Sequence, residues 1–176
     1  METLEAIFTR RSVRDFVRQP VDAELLDKVL QAAVAAPSGG NLQAWGFVLV
    51  QSDCRIAALR SLAPGIIGRP AAVIAICLDS GCVIGAGNNA GDYLIYMDVG
   101  TALENMLLTA HSLGFGACPV GSFHKQAVAA FLDLPVGVST LLLLALGYPR
   151  VKPDSPDRRP LKEVVFKEKW GVYGSG

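Results

Sequence analysis

At 176 residues the chain fits one domain of ordinary size and is long enough to bury a full hydrophobic core. Its 16 basic residues balance 16 acidic ones and only 18% of positions are charged, which argues against a nucleic-acid-binding surface with its basic excess. Hydrophobic residues reach 51% and mean hydropathy +0.38, yet no apolar run approaches the ~18 residues that a membrane span needs.

Residues 3–9 read as a short helix that delivers the chain into Arg10-Arg11-Ser12-Val13-Arg14. Asp22 is a fitting N-cap for a second helix, because Leu25, Leu26, Val29, Leu30, Ala33 and Val34 repeat at helical spacing. Pro37-Ser38-Gly39-Gly40 stops it. A strand is predicted over 45–51, a helix over 54–63 and a buried strand with β-branched residues over 71–78. Residues 80–91 read as a glycine-rich loop. Asp92 is expected to open the longest helix, which runs to about His111 and ends at Gly114. A helix over 125–132 and a strand over 139–146 follow. From Pro149 the chain turns proline-rich and polar, then closes with the apolar patch Val164, Val165, Phe166 and Trp170, which predicts docking rather than fraying.

The surplus of apolar residues without a membrane segment predicts a surface buried against a second copy of the chain, a homodimer. Glu2 and Glu5 interrupt the order that a signal peptide would show, so a cytoplasmic protein is expected. Cys54, Cys77, Cys82 and Cys118 lack CxxC spacing, and His111 and His124 complete no zinc set with them. No metal is expected, and the cysteines read as buried free thiols in a reducing compartment.

Three segments carry chemistry. In Arg10–Arg14 guanidinium forks match phosphate oxygens bidentately and Ser12 adds a neutral donor. The bland alternative is a solvated charge cluster, but Val13 and Phe16 place apolar anchors among the charges. Pro37 through Gln43 offers glycine backbone that a ligand can approach closely, with Asn41 and Gln43 as donors and acceptors; it is also a plain helix stop. Gly114 through Phe123 is rich in small residues, as a wall against a flat ring would be, or as an ordinary turn would be. A fourth stretch, Gly85-Ala86-Gly87-Asn88-Asn89-Ala90, imitates a dinucleotide fingerprint, with Glu104 about 20 residues on. That acid should end a second parallel strand, and residues 92–113 read as helix, so a nicotinamide-only Rossmann site is set aside.

Together these stretches resemble the nitroreductase family of flavin-dependent oxidoreductases over nearly the whole chain. The resemblance is carried by Arg10–Arg14 with Phe16, by Ala36-Pro37-Ser38 through Asn41, Gln43 and Trp45, and by Asp98 through Asn105-Met106-Leu107-Leu108 and on to Gly114. Gly147-Tyr148-Pro149 and Arg158-Arg159-Pro160-Leu161, with Glu163 and Trp170, complete it. It implies an α+β, nitroreductase-like fold: a central mixed, mainly antiparallel sheet flanked by helices. One domain over 1–176 would bind FMN at a homodimer interface, with the C-terminal arm from about 150 exchanged between protomers.

The resemblance also implies a division of roles. Arg10, Ser12 and Arg158 would hold the phosphate and ribityl chain, with Arg159 as the alternative, and Arg11 would act mainly through its backbone. Arg14 would face the pyrimidine edge. Pro37, Ser38, Gly39 and Asn41 would come from the partner subunit, with Gln43 close by. Pro119, Val120, Gly121 and Ser122 would line the ring, the Gly121 N–H aimed at flavin N5. The activity implied is hydride transfer from NAD(P)H through FMN to a nitroaromatic or quinone, with no side chain assigned as catalytic acid. Alternatives on the same scaffold are a flavin-fragmenting or reductively dehalogenating relative, or a non-enzymatic FMN-binding protein. The chain is short for the family, and after Ala63 it lacks the asparagine that many larger members aim at the pyrimidine.

Overall fold

Among the described residues, 72 to 77 form the most deeply buried run, each 1% exposed or less. Alternate side chains of a strand point to opposite faces, so a run this apolar must be covered on both. The computed structural model, which describes residues 1–85 and 93–172, shows how. Strand β2 (Ala72–Asp79) lies inside a four-stranded sheet with β1 (Trp45–Val50), β3 (Gly116–Val120) and β4 (Val138–Gly147). The order is β1-β2-β4-β3 and every strand pair is antiparallel. The only parallel pairing among the described residues is an isolated bridge between Ser12 and Ala117, so the expected mainly antiparallel sheet is the one found.

Helices α2 (Ala23–Val34) and α5 (Tyr93–Ser112) cover one face. There Leu26, Val29, Ala33 and Met106 meet Ala72, Ile74, Ile76, Leu144 and Leu146. Helices α3 (Asp53–Leu62) and α6 (Lys125–Phe131) cover the other, where Ile56, Leu59 and Val128 meet Val73, Ala75, Cys77, Leu143 and Ala145. Burying each such aliphatic side chain is worth about 1.5–3 kcal/mol. Asn105 Nδ2 donates to Ala32 O at 3.0 Å, which ties α5 to α2 by a polar contact as well.

Most predicted elements fall within a residue or two of those observed, α1 (Thr3–Thr9) included. Asp22 does precede α2, but its side chain makes no capping bond. Gly116–Val120, in the stretch left open between a wall and an ordinary turn, is an edge strand. Two expectations are corrected. Ser80–Gly85, expected as loop, is helix α4, set up by Asp79 Oδ1 accepting from the Gly81 N–H at 2.8 Å and by Ser80 N–H donating to Gly137 O at 2.9 Å. Cys77 and Cys118 are buried, but Cys54 and Cys82 are exposed. Burial pushes the Cys77 and Cys118 thiols up, the latter against the pull of the Arg14 charge. Asp92 and most of the fingerprint-like stretch lie outside the described residues. Glu104, the acid that stretch would need on a strand, is on α5.

Past the Pro149 bridge the chain has no regular secondary structure until the short helix α7 (Leu161–Val164). Within one protomer most of the tail's apolar side chains remain in solvent: Leu161 is 75% and Trp170 89% exposed, the Trp170 ring tilted against that of half-buried Phe166 with centroids 4.4 Å apart. No helix among the described residues is long and apolar enough to cross a membrane.

Candidate functional site

The arginine segment is pinned to the sheet. Ser12 bridges Ala117, Val13 N–H donates to Ala117 O at 3.0 Å, and Phe16 bridges Pro149. Val13 and Phe16 are 6% and 3% exposed, the anchors that their place among the charges predicted. Two glycines make room for them. Gly116 and Gly147 face each other across β3 and β4, and a Cβ on Gly116 would lie 2.5 Å from the Val13 Cβ. A Cβ on Gly147 would lie 2.9 Å from Phe16 Cδ1. The glycine pair is thus a socket for the two anchors.

The parallel bridge carries the segment in the direction of β3, so Arg14 runs toward the Pro119–Ser122 end. The 64–68 loop meets both there. Gly65 N–H donates to Ser122 O at 3.0 Å, and the Gly65 backbone packs against Val120. Gly68, with φ of +72°, touches the Arg14 carbonyl so closely that a Cβ could not be placed. Sequence reading singled out neither glycine. Gly121 and Ser122 are exposed, and no turn or loop bond among the described residues engages the Gly121 N–H.

Arg10 lies half-buried against α5, its Nε 3.3 Å from Glu104 Oε1. The angle is not that of a hydrogen bond, so this nitrogen is shielded from solvent with no hydrogen-bond acceptor. The Arg11 guanidinium donates to Phe8 O at 2.9 Å and to Arg10 O at 2.7 Å. Arg14 is exposed. Arg158 makes no hydrogen bond or ion pair among the described residues, and Arg159 pairs locally with Glu163 at 3.5 Å. No hydrogen bond or ion pair among the described residues joins either tail arginine to Arg10 or Ser12.

The Pro37–Gln43 loop is a separate construction. Gly40, Asn41 and Gln43 have φ of 57°, 57° and 50°, so the chain turns left-handed around a single 3-10 turn at Gly39–Asn41. Helix α5 holds this loop. Both carboxylate oxygens of Asp98 accept from the Gly39 N–H at 3.1 Å, and Thr101 Oγ1 donates to Pro37 O at 3.2 Å or to Asp98 O at 2.8 Å. Ser38 Oγ accepts from the Gln43 N–H at 3.1 Å. Asn41 and Gln43 face solvent. Asp98 and Thr101 are positioning residues for this loop that sequence reading did not assign. Their spacing of three along α5 puts them on one face, which was the available signal.

At the C-terminal end of α5, His111 Nε2 lies 2.8 Å from Thr9 Oγ1. That hydroxyl donates to Glu5 O at 2.6 Å, so the ring nitrogen must be the donor to it. Burial lowers the His111 pKa, helped by the Lys152, Arg10 and Arg11 charges and opposed by Glu5. The folded chain therefore favours the neutral ring, and the unfolded chain takes up the proton first as pH falls. Stability is complete above the unfolded value of about 6.5 and is lost as pH drops from there toward the lower folded value. Melting temperature followed against pH should fall below about pH 6.5 more steeply in the parent than in His111→Gln. Parallel curves would show that His111 does not titrate differentially.

The arrangement sets guanidinium groups and a hydroxyl beside the exposed Gly121–Ser122 backbone. A family model described as Nitroreductase family matches residues 7–74 and 58–148. A protein of Methanothermobacter thermautotrophicus, named as a candidate NADH dehydrogenase/NAD(P)H nitroreductase, is 32% identical over 97% of this chain and 88% of its own. The Bacillus subtilis FMN reductase (NAD(P)H) is 27% identical over 95% of this chain and 74% of its own. The solved NADPH:FMN oxidoreductase of Vibrio harveyi, in complex with NAD+, superposes with a TM-score of 0.85 at 26% identity, over 98% of this chain and 79% of that one. With the family matched across both sheet edges and a relative this similar along nearly all its length, the chain belongs to the nitroreductase family.

Proposed function

We propose that the chain passes a hydride from NAD(P)H through N5 of FMN to a nitroaromatic or quinone acceptor. As a nitroreductase-family member it is an NAD(P)H-dependent flavin oxidoreductase with FMN as its cofactor. The observation that carries the reading is the docked arginine segment, where the Arg10 Nε is shielded from solvent and lacks a hydrogen-bond acceptor. A phosphate oxygen would supply one. The donor set fits the group: guanidinium and hydroxyl for the phosphate, exposed backbone N–H and small residues for the ring.

When bound, the flavin carries the electron chemistry itself, and the protein orients and tunes it. Arg10, Ser12 and Arg158 would hold the phosphate and ribityl chain, with Arg159 as the alternative. Arg14, already near the Pro119–Ser122 wall, would put positive charge at the pyrimidine edge. The Gly121 N–H would point at N5. No side chain is assigned as proton donor, and water is one source of protons open to the site.

Pro37, Ser38, Gly39 and Asn41 would be contributed by a second protomer, with Gln43 beside them. The support is topological. This loop leads into β1, the wall follows β3, and those strands are opposite edges of the sheet, three strand spacings or ~14 Å apart. One protomer is poorly placed to close both around one ring. Exposed Leu4, Ile7 and Phe8 on α1, Tyr96 and Met97 on α5, and the apolar tail supply surface for a homodimer with exchanged arms.

Acid release from the purified protein should yield a yellow compound with the absorption spectrum of FMN. Under anaerobic conditions NADH or NADPH should bleach the bound flavin, and a nitroaromatic or quinone should restore its colour. A colourless protein, or a flavin that neither nicotinamide bleaches, would sink this reading.

A further inference from the structure

A cavity of about 680 Å³ opens where β1 ends and β2 begins, the far end of β1 from the Pro37–Gln43 loop. None of the residues assigned to the flavin lines it. Arg18, Arg60 and Arg69 line it with a single carboxylate, Asp53, over a floor that includes Ile56 and Val21. Only Arg18 is answered: its Nη2 lies 3.7 Å from Asp53 Oδ2, and both side chains are largely in solvent. Arg60 is half-buried in the last turn of α3, and its Nε is shielded from solvent with no hydrogen-bond partner. Among the described residues neither Arg60 nor Arg69 makes an ion pair.

A partly desolvated guanidinium without a counter-charge is costly to keep. The end of a helix offers it some compensation, but no α3 carbonyl accepts from Arg60. Three guanidiniums against one carboxylate leave two positive charges uncompensated at one cavity, in a chain whose formal net charge is zero. A phosphomonoester carries about −1.5 to −2 charge at neutral pH and presents oxygens that match guanidinium forks. A carboxylate answers only half of the excess.

We propose that this cavity binds a small phosphomonoester with an apolar body, its phosphate on Arg60 and Arg69 and its body over Ile56 and Val21. The site is separate from the one assigned to the flavin and does not rest on that assignment.

Phenyl phosphate is the probe, titrated calorimetrically into the full chain with FMN saturating, so that the N-terminal arginine segment is already engaged. It should bind with measurable heat at low salt and weaken about tenfold or more in Arg60→Gln and in Arg69→Gln, each of which removes one charge-assisted contact. Inorganic phosphate, lacking the ring, and benzoate, lacking the second charge, should each bind roughly tenfold more weakly than phenyl phosphate. Arg69 is exposed, so its replacement tests the idea without touching the core. No heat at millimolar phenyl phosphate, or binding that either substitution leaves unchanged, would overturn the proposal. Loss of FMN from either variant would place the cavity in the flavin site and overturn it as a separate one.

Discussion

Arg10→Gln is expected to lower FMN affinity by roughly tenfold to a hundredfold, read as flavin lost on gel filtration and as a raised dissociation constant by fluorescence quenching. The size follows from one charge-assisted bond to a phosphate, about 1.5–3 kcal/mol. A competing role must be separated from this one, because Arg10 also faces Glu104 across the α1–α5 contact. A strut between helices would show itself in stability, and a pair whose carboxylate is 47% exposed is worth only about 0.2–1 kcal/mol. Glu104→Gln separates the two. If Arg10 serves the phosphate, removing its carboxylate competitor should leave FMN affinity unchanged or improved, while Arg10→Gln loses it. If Arg10 is only a strut, both substitutions should lower the melting temperature slightly and neither should move FMN binding.

The residues most legible in the sequence were those whose environment is uniform along an element. Residues 72–77 read as a strand because both faces are buried, and α2 read as a helix because only one of its faces is. The Gly116–Val120 strand was hidden for a physical reason. Its glycine gives way to the Val13 anchor and its proline, Pro119, sits at a sheet edge where a lost N–H matters little. Composition therefore left an ordinary turn as open as a wall. Helix α4 was hidden because Ser80 and Gly81 are poor helix formers, and the bonds that set it up come from Asp79 and from Gly137, far along the chain. The candidate site divides in the same way. The arginines and the Pro37–Gln43 donors were visible as residue types, whereas Asp98 and Thr101, which fix that loop, are ordinary helix residues until α5 is seen lying behind it.

Gly116→Ala tests whether the glycine socket, rather than the arginines alone, places the ligand-binding segment. The added methyl would lie 2.5, 2.6 and 2.8 Å from the Val13 Cβ, Cγ1 and Cγ2 atoms. Gly116 has no left-handed backbone that alanine would strain, so the effect is purely steric. Relief requires Val13 to withdraw from the sheet, and Val13 is bonded to Ala117 through its own N–H and flanked by Ser12 and Arg14. Overpacking of this kind costs about 1–3 kcal/mol. Its functional reading should exceed its thermal one, because the displaced residue lies between two that are assigned to the flavin. Gly147→Ala, at 2.9 Å from Phe16, should act in the same direction but more mildly. Gly46→Ala is the control, a strand glycine on β1 whose added methyl meets nothing within 4 Å. FMN dissociation constants should rise in the order Gly46, Gly147, Gly116. A Gly116 variant that melts several degrees lower yet holds FMN as the parent does would show that the arginine segment finds its ligand without the socket.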